Sequence, residues 1–194
     1  MSKTNSAEAF VKLCTGNDIL AVQSELLKGT NVNAQDQDGV SALMAAAVNS
    51  KAEIVRLLLD NGASLDLKDK NGWTALTYAA GKGDKEISTL LLNQNAVVDA
   101  QDNGGITPLM LASLNGHAEV AELLIDRGAK VNQTTFKDVT AIQLAALTGA
   151  VKVVKLLLSR GAVVTKEDIK KIDEEEKKGM QKLGTYQMLL AAAK

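Results

Sequence analysis

A chain of 194 residues with a hydrophobic share of 46% is long and apolar enough to bury a core, which excludes a disordered polypeptide. Its 22 basic and 23 acidic side chains leave a formal net charge of -1, so the attraction on which non-specific nucleic-acid binding depends is missing. The lone cysteine, Cys14, excludes an internal disulfide, and the lone histidine, His117, excludes a His-based metal cluster and is read as a structural or surface residue and not as the base of a Ser/His/Asp triad; no cofactor is implied.

At the start of the chain, Met1 to Phe10 lacks the charged region, apolar core and small-residue cleavage site of a secretory signal. No apolar run approaches the roughly 20 residues that a bilayer crossing needs. The expectation is a cytoplasmic monomer with no membrane association. The apolar stretch Phe10 to Cys14 predicts a packed core thiol, since free cysteine is usually buried. Residues 1–35 read as a degenerate capping repeat, because Leu26-Leu27, Gly29 and Val32-Asn33-Ala34 echo the ends of units further along the chain.

From Asp36 the chain repeats itself at an offset of 33, giving four units: 36–68, 69–101, 102–134 and 135–167. Each is predicted to begin with a tight turn, at Asp38-Gly39, Asn71-Gly72 and Gly104-Gly105. In the fourth unit Asp138 takes the glycine's place, and Asp accepts positive φ better than most residues. Next comes a first helix, opened by Ser41, Thr74, Thr107 or Thr140, whose hydroxyl suits the N-cap. Pro108, the only proline, falls at the first helical position, where its missing N–H costs nothing. Ala46, Ala79, Ala112 and Ala145 hold one register in this helix, small enough to let neighbouring backbones approach.

Between the helices, Gly81-Lys82-Gly83-Asp84 reads as a turn; it lacks the spacing and the terminal Lys-Ser/Thr pair of a phosphate loop. The second helix carries Ile54, Ile87, Val120 and Val153, then the triplets beginning at Leu57, Leu90, Leu123 and Leu156, all on one apolar face. It is predicted to end at Gly62, Asn95, Gly128 and Gly161 in left-handed caps. One unit cannot bury its apolar face by itself, so the units must stack into an elongated array. Beyond Glu167 the pattern fails. Residues 168–194 read as a C-terminal cap: a charged helix over Thr165 to Lys178, then an apolar one around Tyr186 to Ala193. Lys170, Lys171, Asp173 and the run Glu174-Glu175-Glu176 are its expected solvated face.

These units resemble the ankyrin-repeat family, whose marks are Thr-Pro-Leu-His opening the first helix, Gly-His between the helices and Gly-Ala after the second. Here Thr107-Pro108-Leu109 and Gly116-His117 match, while Met44, Thr77, Met110 and Gln143 replace the family's first histidine. The resemblance implies an all-α solenoid of stacked helix-turn-helix units with β-hairpin tips, a structural place for His117, and a protein partner held on the concave face. Carried to the positions that vary between units, the implied partner-binding residues are Val40, Lys70, Trp73, Ile106, Phe136 and Lys137 at the tips. Along the first helices they are Val48, Asn49, Lys82, Leu114, Asn115 and Leu147. Trp73 and Phe136 are the candidate anchors, because aromatic side chains dominate interface energetics; against this, Trp73 shares its register with Val40, Ile106 and Val139, which suggests packing on its own hairpin. The leading expectation is an adaptor, inhibitor or regulatory subunit. A bacterial effector delivered to a host target is the alternative, and an enzyme is disfavoured because no catalytic domain remains once caps and repeats are assigned.

Overall fold

A computed structural model describes residues 3–166, 168–170 and 183–193. Among these, ten helices run in antiparallel pairs: α1 (Lys3–Leu13) with α2 (Ile19–Leu27), α3 (Ala42–Val48) with α4 (Ala52–Asp60), α5 (Ala75–Lys82) with α6 (Lys85–Asn93), α7 (Pro108–Leu114) with α8 (Ala118–Asp126), and α9 (Ala141–Thr148) with α10 (Val151–Ser159). A last helix covers Leu183–Ala192. Among the described residues there is no strand, only isolated antiparallel bridges at Gln35–Ser41 and Thr134–Thr140. The architecture is the all-α repeat solenoid that the periodicity predicts.

Helix starts follow the cap chemistry. Ser41, Thr74 and Thr107 accept from the N–H of Met44, Thr77 and Met110 at 3.3, 3.2 and 3.3 Å. Thr140 departs from the expected pattern: its N–H donates to Gln143 Oε1 at 2.7 Å, while its hydroxyl is buried without a partner. Helix ends are as expected, with Gly62, Asn95, Gly128 and Gly161 at φ of 80, 67, 93 and 84°. One expectation is corrected. Gly81 and Lys82 belong to α5, and the turn begins at Gly83, whose φ of 74° makes it the left-handed cap.

The two layers of helices pack with unequal closeness. Ala46, Ala79, Ala112 and Ala145 are fully buried, and the first helices α3, α5, α7 and α9 lie closer together than the second helices do. A single continuous core runs from Phe10 through Leu58, Leu91, Leu124 and Leu157 to Leu189. Cys14 lies in it, fully buried, and burial pushes its thiol up to about 12. Leu189 is buried at the far end, and Thr185 donates to the Ala146 carbonyl at 3.4 Å. Asp168 bonds Gln143 and accepts from Thr165 N–H at 2.7 Å. The predicted acidic run Glu174 to Glu176, with Lys171 and Asp173, lies outside the described residues.

Candidate functional site: the hairpin and first-helix face

Each hairpin is built from one side chain at its base. Asp36 Oδ1 accepts from the N–H of Asp38 and Val40, both at 2.9 Å; Asp69 serves Asn71 and Trp73, and Asp102 serves Gly104 and Ile106. In the fourth hairpin the Thr135 hydroxyl accepts from Lys137 and Val139 at 3.3 and 3.1 Å. The tips then join one another through backbone bonds: Lys70 N–H to the Asp38 carbonyl at 2.9 Å, Asn103 to Asn71 at 3.0 Å, and Phe136 to Gly104 at 3.0 Å. This close approach explains the turn glycines. A Cβ on Gly72 would fall 2.8 Å from the Asn103 nitrogen, and one on Gly105 would fall 2.7 Å from that of Phe136. Among the described residues the fourth hairpin meets no further hairpin, so Asp138 can hold φ 55° where the others need glycine.

The second hairpin carries an aromatic cluster. Trp73 is half-buried and donates through Nε1 to Asp102 Oδ2 at 3.0 Å, tying its own repeat to the next. Its ring meets Tyr78 edge-on at 5.1 Å, and the Tyr78 hydroxyl donates to Asp69 Oδ2 at 2.7 Å. Burial, the bond to Asp69 and the charges of Asp69, Asp36 and Asp38 all hold the Tyr78 phenol protonated well above its ordinary range.

The other named positions divide by surroundings. Val40 and Ile106 are half-buried against the core. Val48, Leu114 and Leu147 are half-buried on the first helices and lie outside that core. Phe136 is 69% exposed at its tip, beside exposed Lys137. Lys70 pairs with Asp38 at 3.2 Å, and Lys82 is exposed at the end of α5. Asn49 donates to the Ala45 carbonyl at 2.8 Å, whereas Asn115 reaches across repeats to the Gly81 carbonyl at 2.7 Å. Ala45, Tyr78, Leu111 and Leu144 share the next register inward, where Leu111 is buried and Leu144 is half-buried against the core. His117 donates to the same Gly81 carbonyl at 3.1 Å, and its ring leaves no room for a Cβ on Gly83, 2.5 Å from Nδ1. It is a packing residue between repeats.

Two clefts lie elsewhere, at the turns between paired helices. One of about 480 Å³ is lined by Asn17, Ser50, Lys51 and Glu53, the other of about 410 Å³ by Gly83, His117, Glu119 and Lys152. Neither shares a residue with the hairpin face. Among the described residues no group of His, Cys, Asp and Glu is arranged to hold a metal ion, and no helix is long and apolar enough to cross a membrane.

Comparison with known proteins agrees with this geometry. A family model described as ankyrin repeats in three copies matches residues 11–102 and again 95–168. No curated protein matches the chain.

Proposed function

Because this chain belongs to the ankyrin-repeat family, we propose that it is an interaction module that holds a protein partner against its hairpin tips and first helices. Proteins of this family mediate protein–protein contacts and are typically not enzymes. The observation that carries the placement is Phe136. A phenylalanine 69% exposed on a rigid, backbone-bonded tip is a preorganised apolar anchor, and such side chains contribute most of the energy of an interface when a partner covers them. Trp73 is the weaker anchor, since its indole N–H is already committed to Asp102. Val48, Leu114 and Leu147 extend the apolar surface inward, with Asn49, Lys82, Asn115, Lys70 and Lys137 around it. The partner is a protein surface or segment, not a polyanion, because these few cations are interleaved with carboxylates. The role is that of an adaptor, inhibitor or regulatory subunit acting in the cytoplasm as a monomer.

The test starts from a partner captured with the intact chain. Phe136→Ala, Trp73→Ala, Leu114→Ala and Leu147→Ala are each measured for affinity and thermal unfolding beside Arg56→Ala and Lys155→Ala on the outer helices. Loss of about thirtyfold or more at one or two of the first four, with the fold intact, is expected. Affinity that survives all four and fails at the outer positions overturns the reading.

A further inference from the structure

The second helix of every complete repeat is polar where it faces outward. Two of its registers hold Glu53, Glu86, Glu119 and Lys152, then Asp60, Asn93, Asp126 and Ser159, all exposed. Glu86, Glu119 and Asp126 there pair with Arg56, Lys85 and Arg160 of neighbouring repeats. In α2 the same two registers hold Leu20 and Leu27, 73% and 82% exposed, the most exposed large apolar side chains among the described residues. Lying two helical turns apart, they share one face. We infer that this outer face of α2 is a self-association surface, on which a second copy of the chain docks through its own α2, antiparallel, about a two-fold axis.

Stacking of another repeat does not account for the leucines. The register of Leu58, Leu91, Leu124 and Leu157 is fully buried in the units that have a neighbour before them, whereas α2 has half-buried Glu25 there. Ser24 likewise stands at the register of Leu57, Leu90, Leu123 and Leu156. A repeat placed against this end would have to bury Glu25, which already pairs with Lys28 at 2.8 Å. Apolar side chains have thus left the stacking registers of α2 and taken the outward ones.

The residues around the leucines select the occupant. Asp18 caps the N-terminal end of α2, accepting from the Ala21 N–H at 2.9 Å, and Lys28 closes the C-terminal end with its side chain 66% exposed. Two copies of the helix laid parallel would set Asp18 against Asp18 and Lys28 against Lys28. Turned antiparallel about the midpoint between Gln23 and Ser24, they set Leu20 of one copy against Leu27 of the other and bring each Asp18 to the Lys28 of the other copy. The face is therefore complementary to itself, as a two-fold interface requires. Gln23 and Ser24, both exposed, lie at the axis, where their polar groups can bond across it. A lipid surface fits less well, since Asp18 and Glu25 outnumber Lys28 and oppose an anionic bilayer.

One helix of 9 residues offers much less than the roughly 800 Å² per partner of a standard interface. The pair is accordingly weak, and the monomer is the species in dilute solution. Because α2 lies in the layer of second helices, pairing leaves the hairpin tips and first helices of both copies open. A partner with two binding segments then draws the pair together.

Sedimentation of the intact chain over a concentration series, with no partner present, tests this. The variants are Leu20→Glu and Leu27→Asp, which install the side chains of Glu53 and Asp60 at the matching registers, and Asp18→Asn, which keeps the cap and removes its charge. Each should unfold at the wild-type midpoint. The average mass of the wild type is expected to rise toward that of two chains, with each leucine substitution weakening association about tenfold or more. Asp18→Asn should weaken it less and flatten its dependence on salt. A wild type that stays a single chain up to its solubility limit overturns the inference, including where phosphatidylserine vesicles or a captured protein occupy the leucine face instead. Association that survives both leucine substitutions places the contact elsewhere and overturns it as well. Neither Phe136 nor a partner enters the measurement, so its failure leaves the hairpin-face reading untouched.

Discussion

Gly72 and Gly62 separate two reasons for which a repeat keeps glycine, because both have positive φ, 85° and 80°, and only one is crowded. An alanine at either position bears the left-handed penalty of about 1–2 kcal/mol, partly offset by about 0.5–1 kcal/mol from a less flexible unfolded chain. At Gly62 a Cβ meets nothing within 4 Å, so Gly62→Ala should cost about 1 kcal/mol or less. At Gly72 the Cβ would fall 2.8 Å from the Asn103 nitrogen, the donor of the 3.0 Å bond to the Asn71 carbonyl. Opening that contact forfeits about 1 kcal/mol more and loosens the joint between the second and third tips. Gly72→Ala should therefore cost about 2 kcal/mol, or about 4–8 °C in unfolding midpoint for a chain of this size. Urea and thermal unfolding followed by circular dichroism at helical wavelengths give both values. Equal losses at the two positions would refute the claim that hairpin packing, beyond local strain, selects the turn glycine.

Buried groups set the remaining expected outcomes. Ser113 is fully buried with an unpartnered hydroxyl at a register otherwise held by Ala47, Ala80 and Ala146, so Ser113→Ala should raise stability by about 1 kcal/mol in the same unfolding assay. The Cys14 thiol, held up to about 12 by burial against an ordinary value of 9.0, stays protonated in the folded chain while the unfolded chain ionises. Stability should thus fall as pH rises from about 9 to about 12, and Cys14→Ala should remove that dependence in unfolding measured across pH. Leu189 is 1% exposed against the last repeat, and Leu189→Ala should cost about 2–5 kcal/mol. Deleting 168–194 should go further, lowering the unfolding midpoint and promoting association visible by light scattering.

The features legible in the sequence are those that the 33-residue spacing repeats. Caps, turn glycines, paired helices and alanine contacts are local requirements, and the tandem copies state each of them three or four times. Asp138 is readable because its tolerance of positive φ is intrinsic to the residue. The features missed depend on distant partners. Trp73 is placed by Asp102, 29 residues on, and the idle Thr140 hydroxyl goes with Gln143 serving Asp168, 25 residues away. Gly81 reads as part of a turn because glycine between two helical patterns is a breaker in sequence terms. Only backbone geometry separates it from Gly83. Which face positions carry a partner stays beyond the sequence, since variation between repeats marks a binding surface and an unconstrained one alike.

The unequal layers have a mechanical consequence. On the inner side, alanines fix the distance between neighbouring repeats and leave no slack. On the outer side, adjacent repeats are linked by solvated pairs of long side chains, Arg56 with Glu86, Lys85 with Glu119, and Arg160 with Glu122 and Asp126. Such links can lengthen or shorten at little energetic cost and weaken as salt is added. The joint between repeats is therefore expected to be stiffer among the first helices than among the salt-linked ends of the second helices. Small rotations at each joint would add along the length of the array, so the spacing of the second helices could change from repeat to repeat without breaking a hairpin bond.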